Sequence, residues 1–143
     1  MSILISACLL GINCKYDGKS NTAPEVIEFI RNRQVLPVCP EVFGGLSIPR
    51  TPCEICGKRI LSKNGGDCTA EYLRGAEITL RMAQAAGAKF AILKAKSPSC
   101  GFGEIYDGTF SHTLTAGNGI AAEMLAESGI EIANENNFRD IIK

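Results

Sequence analysis

The sequence lacks an excess of charge of either sign. Its 15 lysines and arginines balance 15 aspartates and glutamates, which gives a formal net charge of +0 at pH 7. A protein that binds nucleic acid or an anionic membrane over much of its surface normally carries a clear basic excess. The balance therefore argues against both classes of partner. A smaller basic lip remains open as a hypothesis, formed by Arg50, Lys58, Lys94 and Lys96.

Long apolar segments are also absent. No stretch approaches the ~20 apolar residues that a membrane span needs. Residues 5–8 superficially match a lipoprotein cleavage site, but neither a basic start nor a long apolar segment precedes them. We therefore expect a cytoplasmic protein with no membrane partner.

The chain also has only one histidine and no complete phosphate loop. His112 is the only histidine, and no acid or nucleophile lies near it in the sequence, so we interpret it as a surface or hydrogen-bonded histidine rather than a catalyst. Residues 18–20 read Gly-Lys-Ser, but the phosphate-loop pattern requires glycine at position 13, where this chain has Asn13. A nucleotide triphosphatase is therefore disfavoured.

Cysteine, in contrast, is abundant. Seven cysteines occur, at positions 8, 14, 39, 53, 56, 68 and 100. The odd count and the absence of a secretory signal argue against a complete disulfide framework, so metal, cluster or catalytic use is the better explanation for several of them. For Cys14 and Cys68, packing as small apolar side chains remains an equal alternative.

The chain, at 143 residues, has the length of one domain, which we assign to residues 1–143. Short apolar runs predict strands at residues 3–7, 35–38, 90–93 and 130–133, with a further short strand at 60–62. Four helices are predicted: one that begins at Pro24, one over 70–86, one over 118–128 and one after Asn134 or Asn137. In the first, Val26, Ile27 and Ile30 form an apolar stripe, and in the second, Leu73 is expected to face the core. Residues 39–52 are predicted to form a loop, and Asp107 and Gly108 a tight turn. The alternation predicts an α/β protein with a doubly wound, mostly parallel sheet and helices on both faces.

Three cysteines follow three of the predicted strands. Cys8 and Cys39 come directly after their strands, and Cys100 follows the third within a short loop. Because the carboxyl ends of parallel strands share one edge of a sheet, we expect these three thiols to converge there. Three thiolates suit a metal or cluster that keeps one coordination position open, so the edge is predicted to be a reactive site.

Polar side chains accompany these thiols. Glu41 lies two residues beyond Cys39, where a carboxyl group suits proton transfer, although a solvated loop glutamate is the alternative. Ser97 and Ser99 precede Cys100 and are candidates to orient a ligand or relay a proton, although each is equally compatible with a turn.

Cys53 and Cys56 have the spacing of half a zinc knuckle. A second half is missing, so a structural zinc site with Cys68 and one more ligand is one hypothesis. A redox pair is another, although no helix opens at this pair as a thioredoxin-like motif requires. Two unrelated thiols on a loop remain the simpler interpretation.

Eight segments together resemble the bacterial thiouracil desulfidase family (TudS type, domain of unknown function family 523). They are SACLLG at residues 6–11, CKYDG at 14–18, PVCPE at 37–41, GGL at 44–46, PRTP at 49–52, LRGA at 73–76, KAKSPSCG at 94–101 and IYDGTF at 105–110. They span nearly the whole chain in the family's order. The resemblance is therefore specific to the family, and much less so to a particular substrate.

The resemblance implies a Rossmann-like fold and a [4Fe-4S] cluster held by Cys8, Cys39 and Cys100. In that family the fourth iron has no protein ligand and acts as a Lewis acid on the thiocarbonyl sulfur of a thiolated pyrimidine, which is released as sulfide without net oxidation or reduction. By the same resemblance, Glu41 is the general acid and base, and Ser97 positions the substrate or relays a proton.

Within the matched segments we assign substrate binding to Ser99, Arg50 and Asp17. Cys14 belongs to the shared pattern and is an alternative ligand to Cys8. Another set of cysteines departs from the pattern and has no assigned role: Cys53, Cys56 and Cys68. Such clusters are oxygen-sensitive, so protein prepared in air can lack the cluster.

The expected partner is a small thiolated base or nucleotide, and the protein is expected to be a monomer or homodimer. Desulfuration of thiolated tRNA is the alternative within the same chemistry, disfavoured by the balanced charge. A zinc-stabilised binding module without catalysis and a cluster-bearing sulfur carrier are the alternatives from other classes.

Overall fold

A computed structural model describes residues 2–142 of the chain. In chain order its elements are β1 (Ser2–Ser6), α1 (Pro24–Phe29), β2 (Gln34–Val38), α2 (Pro40–Phe43), β3 (Cys53–Cys56), β4 (Arg59–Ser62), α3 (Thr69–Ala85), β5 (Phe90–Leu93), β6 (Phe102–Tyr106), β7 (Leu114–Asn118), α4 (Ile120–Glu127), β8 (Glu131–Asn134) and α5 (Phe138–Ile141). A single 3-10 turn, Ala7–Leu10, follows β1. The protein is thus a mixed α/β protein.

A four-stranded parallel sheet forms the centre of the fold, in the order β2-β1-β5-β8. Leu4 of β1 pairs with Leu36 on one side and with Ala91 on the other. Ile92 of β5 pairs with Ala133 of β8. The four predicted parallel strands are confirmed, and their carboxyl ends lie along one edge.

Both faces of β1 are buried. Leu4 faces α3 and α4 and packs in the same cluster as Leu125. Ile5, on the opposite face, packs in a second cluster with Val26 of α1 and Phe138 of α5. Because successive side chains of a strand point to opposite faces, a strand covered on both sides is apolar at every position. This explains the short continuous apolar runs in the sequence.

Two antiparallel hairpins, β3–β4 and β6–β7, stand apart from the central sheet. The predicted short strand at residues 60–62 is confirmed as part of β4. The interpretation of Cys53 and Cys56 as loop residues is wrong, because they begin and end β3. Residues three apart in a strand point to opposite faces, so the two thiols do not form a chelating pair as they would in a knuckle.

The prediction of a loop over residues 39–52 is partly wrong, because α2 occupies Pro40–Phe43. Pro40 is the first residue of this single turn, where proline is favoured because the position needs no N–H donor. The surrounding prolines and glycines hide such a short helix from sequence patterns. Its first turn carries Glu41.

The buried faces of two helices differ from those predicted. Leu73, expected in the core, is 42% exposed, and Ile27 is 38% exposed. Val26 and Ile30 of the predicted first stripe are buried. The buried positions of α3 are Tyr72, Gly75, Ala76, Thr79 and Ala83. The packing of α3 against α2 selects this face, and an apolar stripe in the sequence does not report such a contact.

The connection between β6 and β7 is seven residues long, 107–113, so the predicted tight turn at Asp107 and Gly108 is wrong. Residues 114–118 belong to β7, and the helix predicted from residue 118 therefore begins two residues later, after Gly119. Asn137 is the residue that precedes α5. Among residues 2–142, no helix combines the length and the apolar character that crossing a membrane requires.

Two glycines allow α2 and α3 to touch. A Cβ atom on Gly75 of α3 would overlap the backbone carbonyl oxygen of Pro40, and one on Gly44 would overlap that of Glu71. Neither position tolerates a side chain unless the backbone moves. This contact brings Glu41 on α2 close to Tyr72 on α3.

Candidate active site at the carboxyl edge of the sheet

A cavity of about 620 Å³ opens at the carboxyl edge of the central sheet. Ser6 ends β1, Val38 ends β2, and Lys94 follows β5, and all three residues line it. Ligands of open parallel sheets bind outside this edge, because the loops that follow the strands gather there. The cavity therefore lies where the sequence places the reactive site.

The structure brings Cys8, Cys39 and Cys100 together on the wall of this cavity. Cys8 lies in the 3-10 turn after β1, Cys39 immediately precedes α2, and Cys100 lies in the loop before β6. Cys14 lines the same cavity as a fourth thiol. The predicted convergence of the three strand ends is thus observed.

The thiol of Cys14 lies between those of Cys8 and Cys39. Hydrogen bonding with the Cys14 thiol, whose one S–H donates to either neighbour in turn, lowers the pKa of Cys8 to about 7 and that of Cys39 to about 7. The same two contacts raise the pKa of Cys14 well above its ordinary value. Two of the thiols are thereby prepared to ionise near neutral pH, and thiolates are the form that binds iron–sulfur clusters and soft metals.

Cys100 has a different environment. Burial raises the pKa of its thiol to about 12, and hydrogen bonds with Ser6 and Ser99 oppose that rise. The Ser99 Oγ lies 3.6 Å from the Cys100 Sγ. A metal or cluster that binds here must displace the proton of this thiol, as metal binding to cysteine generally does.

The alternative of a structural zinc requires a site for a single metal ion. Among the described residues 2–142, no three His, Cys, Asp or Glu side chains are grouped so that they could hold a single metal ion. The hypothetical zinc site with Cys53, Cys56 and Cys68 therefore has no assembled ligand set in this part of the chain. Three separate thiols around one cavity fit a cluster, which is wider than a single ion and is usually bound by cysteine.

Both carboxylate oxygens of Glu41 are hydrogen-bonded. Its Oε1 accepts from Arg50 Nε at 3.1 Å and from the Tyr72 hydroxyl at 3.0 Å. Its Oε2 accepts from the Ser99 hydroxyl at 2.9 Å. The side chain lines the cavity and is only 15% exposed, so Glu41 is a fixed carboxylate and not a solvated loop residue.

Ser97 and Ser99 form a short hydroxyl chain that ends at Glu41. Ser97 Oγ accepts the backbone N–H of Cys100 at 2.7 Å and lies 3.1 Å from Ser99 Oγ. Because its lone pairs are engaged by backbone donors, Ser97 has its own O–H free to donate to Ser99. Ser99 donates in turn to Glu41, so Ser97 orients the Ser99 hydroxyl toward the carboxylate.

Arg50 and Asp17 are placed differently from each other. Arg50 lines the cavity, but its guanidinium donates to Glu41, to the Ser47 carbonyl oxygen at 3.2 Å and to the Cys14 carbonyl oxygen at 2.9 Å. Asp17 does not line the cavity. Its carboxylate accepts the backbone N–H of Lys19 at 3.0 Å and lies 3.6 Å from Lys15 Nζ. The structure thus brings Arg50 to the site as a brace for Glu41 and leaves Asp17 at its periphery.

Comparison with known proteins agrees with this geometry. The sequence profile of 2-thiouracil desulfurases matches residues 3–137. The chain belongs to the 2-thiouracil desulfurase family. Its sequence is 38% identical over 150 residues to YbbK of Bacillus subtilis (strain 168), described as uncharacterized, a match that covers 98% of this chain and 99% of that protein.

A solved structure extends the comparison. It is the [4Fe-4S]-dependent thiouracil desulfidase TudS, with which this desulfurase shares 40% sequence identity and a TM-score of 0.92. The match covers 98% of this chain and 94% of the other. The resemblance identified from eight sequence segments is therefore confirmed.

One residue of the desulfurase site, Tyr72, has no sequence signal, whereas Ser6 and Lys94 begin two of the matched segments. Tyr72 lies just before the LRGA segment, in a helix whose apolar pattern points to a different face. Ser6 accepts the backbone N–H of Lys94 at 2.9 Å and interacts with Cys100. Lys94 was expected on a basic lip and does line the cavity, where its Nζ pairs with Glu135 at 2.8 Å. Two lysines from the same predicted lip do not line the cavity: Lys58 and Lys96.

The loop of residues 107–113 closes one side of the desulfurase cavity. Phe110 and His112 line the cavity from this loop, so His112 is exposed but not remote from the site. The buried carboxylate of Glu54 accepts the backbone N–H groups of Gly108 at 2.9 Å and of Phe110 at 3.1 Å. Glu54 thus fastens this loop to β3, a role that nothing in its sequence context indicates.

Proposed function

We propose that this protein removes sulfur from a thiolated pyrimidine of the 2-thiouracil type at a [4Fe-4S] cluster held by Cys8, Cys39 and Cys100. The observation that carries the proposal is that thiols from three strand ends share one cavity with a fixed carboxylate. The family and the TudS neighbour support the same chemistry. When bound, the cluster supplies a Lewis-acidic iron for the thiocarbonyl sulfur. The products are sulfide and the corresponding oxygenated base, with no net oxidation or reduction.

Glu41 is the proton carrier in this proposal. Its Oε2 receives the Ser99 hydroxyl at the cavity, so the carboxylate itself can take a proton from water, hold it and return it to the departing sulfide. Acid–base assistance of this kind contributes about 10²–10⁴-fold to a rate. Ser97 also orders the loop that carries Cys100, because it accepts the N–H of that residue.

Substrate contacts are assigned to the residues around the cavity mouth. Ser99 lies between the carboxylate and the thiols and is placed to contact the reacting group. Arg50 acts there chiefly by fixing Glu41, and Asp17 acts through Lys15, which lines the cavity. Apolar and aromatic walls suit a flat base, and Tyr106 and Phe110 provide them here.

We further propose that residues 1–143 form one Rossmann-like, doubly wound domain that works in the cytoplasm. The support is that α1 and α5 cover one face of the sheet and α3 and α4 the other. A small base or nucleotide is favoured over tRNA because the formal net charge is +0. A monomer or homodimer is expected.

The first test is to purify the protein without oxygen, reconstitute it with iron and sulfide, and measure iron, acid-labile sulfide and the visible spectrum. About four irons per chain and sulfide release from 2-thiouracil would support the proposal. A colourless protein that takes up zinc and no iron would refute it in favour of the zinc-stabilised module. A cluster that forms but never turns over would instead indicate the sulfur carrier.

A further inference from the structure

Tyr72 is a buried polar residue that the proposed chemistry leaves without a role. Its side chain is 2% exposed, and its hydroxyl donates to Glu41 Oε1 at 3.0 Å across 31 positions of sequence. The ring packs in a small apolar cluster with Cys53 and Ile60, away from the central sheet. A buried hydroxyl whose bond ends on the site's carboxylate is a candidate for positioning that carboxylate.

The contacts of Glu41 are unequal at its two oxygens. Oε1 receives both Arg50 and Tyr72, and neither donor leads on to the hydroxyl chain. Oε2 receives Ser99, which continues to Ser97. One oxygen is therefore held by two fixed donors, whereas the other is held by the Ser99 hydroxyl alone.

The Tyr72 hydroxyl is well suited to donate a hydrogen bond to Glu41. Burial is the largest effect that raises the pKa of Tyr72 far above its ordinary value, and the charge of Glu41 adds to it. Burial therefore favours the protonated hydroxyl, which is the form that donates to Glu41. Its hydrogen bond to a charged acceptor in an apolar setting belongs to the stronger class of hydrogen bonds.

We propose that Tyr72 is a positioning residue that acts through Glu41. Together with Arg50 it locks Oε1, and this leaves Oε2 directed at Ser99 on the cavity side. The proposal rests on the proposed function for its catalytic part. Its structural part, that Tyr72 holds Glu41, does not depend on any cluster.

The structural part is tested in metal-free protein with a double-mutant cycle. Tyr72→Phe and Glu41→Ala are measured singly and together by urea unfolding, and phenylalanine fills the tyrosine site without the hydroxyl. We expect the pair to be coupled by about ten-fold in the unfolding equilibrium constant. Thr79→Val is the matched control, because it removes another buried hydroxyl of α3 that donates to Gly75 and not to Glu41. Its coupling to Glu41→Ala should stay within about two-fold.

The catalytic part is tested in reconstituted protein. Tyr72→Phe should keep the iron content and visible spectrum of the unsubstituted protein, lower kcat about ten-fold and change KM by less than about two-fold. Thr79→Val should change neither constant by more than about two-fold. A loss of cluster in Tyr72→Phe, or a rise in KM with kcat unchanged, would overturn the proposal.

The proposed function and the positioning role of Tyr72 would be refuted by different results. If the unsubstituted protein binds no iron, the proposed function fails, and the cycle in metal-free protein still decides whether Tyr72 holds Glu41. If the unsubstituted protein turns over while Tyr72→Phe keeps its full kcat, the positioning role is wrong and the proposed function stands. Absence of coupling in the cycle would refute the positioning role by itself.

Discussion

The contact between α2 and α3 gives the sharpest test of how this fold builds its site. In Gly75→Ala, the new methyl group would overlap the carbonyl oxygen of Pro40. Alanine in a helix is normally more stable than glycine by about 1 kcal/mol, whereas overpacking costs about 1–3 kcal/mol. Because a backbone carbonyl cannot rotate away as a flexible side chain can, the upper part of that range applies. We expect a net loss of about 1–2 kcal/mol in the free energy of unfolding.

Chemical and thermal unfolding of metal-free protein measures this loss. At about 3 °C per kcal/mol for a domain of this size, Gly75→Ala should lower Tm by about 3–6 °C. The reconstituted variant should also lose at least about ten-fold in kcat, since relief of the overlap moves Glu41 away from Ser99. Glu77→Ala, exposed on the same helix, is the control and should change stability by less than about 0.5 kcal/mol. If Gly75→Ala were as stable as the unsubstituted protein, the close contact would be wrong.

Three further predictions concern the site directly. Cys39→Ala and Cys100→Ala should each abolish iron binding in anaerobic reconstitution, whereas Cys56→Ala, outside the cavity lining, should retain it. If Cys39→Ala kept the iron content of the unsubstituted protein, Cys39 would not be a ligand. Glu41→Gln should keep the visible spectrum and lose about 10²–10⁴-fold in sulfide release, and persistent turnover would exclude its proton role. Glu54→Ala should raise KM several-fold, because it releases the loop of residues 107–113. Glu54→Gln keeps an acceptor oxygen for Gly108 and Phe110, so its KM should stay near that of the unsubstituted protein. Equal effects of the two substitutions would show that the loop does not depend on this contact.

The position of the site could be predicted because it follows from the strands alone. Cys8 and Cys39 come at the ends of the short apolar runs that form β1 and β2, and parallel strands end on a common edge. That argument needs only the order of the elements and no side-chain geometry. Cys100 required one more step, because a loop separates it from β5.

The support of Glu41 could not be predicted, because it depends on a contact between distant segments. Tyr72 follows Glu41 by 31 positions and reaches it only because Gly44 and Gly75 let α2 and α3 touch. Glycine in a sequence signals a turn as readily as a close approach, so the pattern does not distinguish the two. The exposed Leu73 misled the prediction of the buried face for the same reason.

The spacing of Cys53 and Cys56 shows how local structure decides what a motif means. In a turn, two cysteines at this spacing point to one centre and chelate a metal. In β3 they point apart: Cys53 faces the apolar cluster with Tyr72, and Cys56 donates to the Gly108 carbonyl oxygen at 3.4 Å. The sequence motif is the same in both cases, and only the backbone conformation separates a metal site from two packing thiols.

Arg50 connects the two chemical halves of the site. One guanidinium binds Glu41 through Nε and the Cys14 carbonyl oxygen through Nη2, so it joins the carboxylate to the loop that carries the fourth thiol. A guanidinium has five N–H groups, and the bonds to Glu41, Ser47 and Cys14 use three of them. Loss of Arg50 would therefore disturb both the Glu41 carboxylate and the loop that carries Cys14. Loss of the Tyr72 hydroxyl removes a hydrogen bond to the carboxylate alone. A Tyr72 substitution therefore tests the positioning of Glu41 separately from the thiol loop.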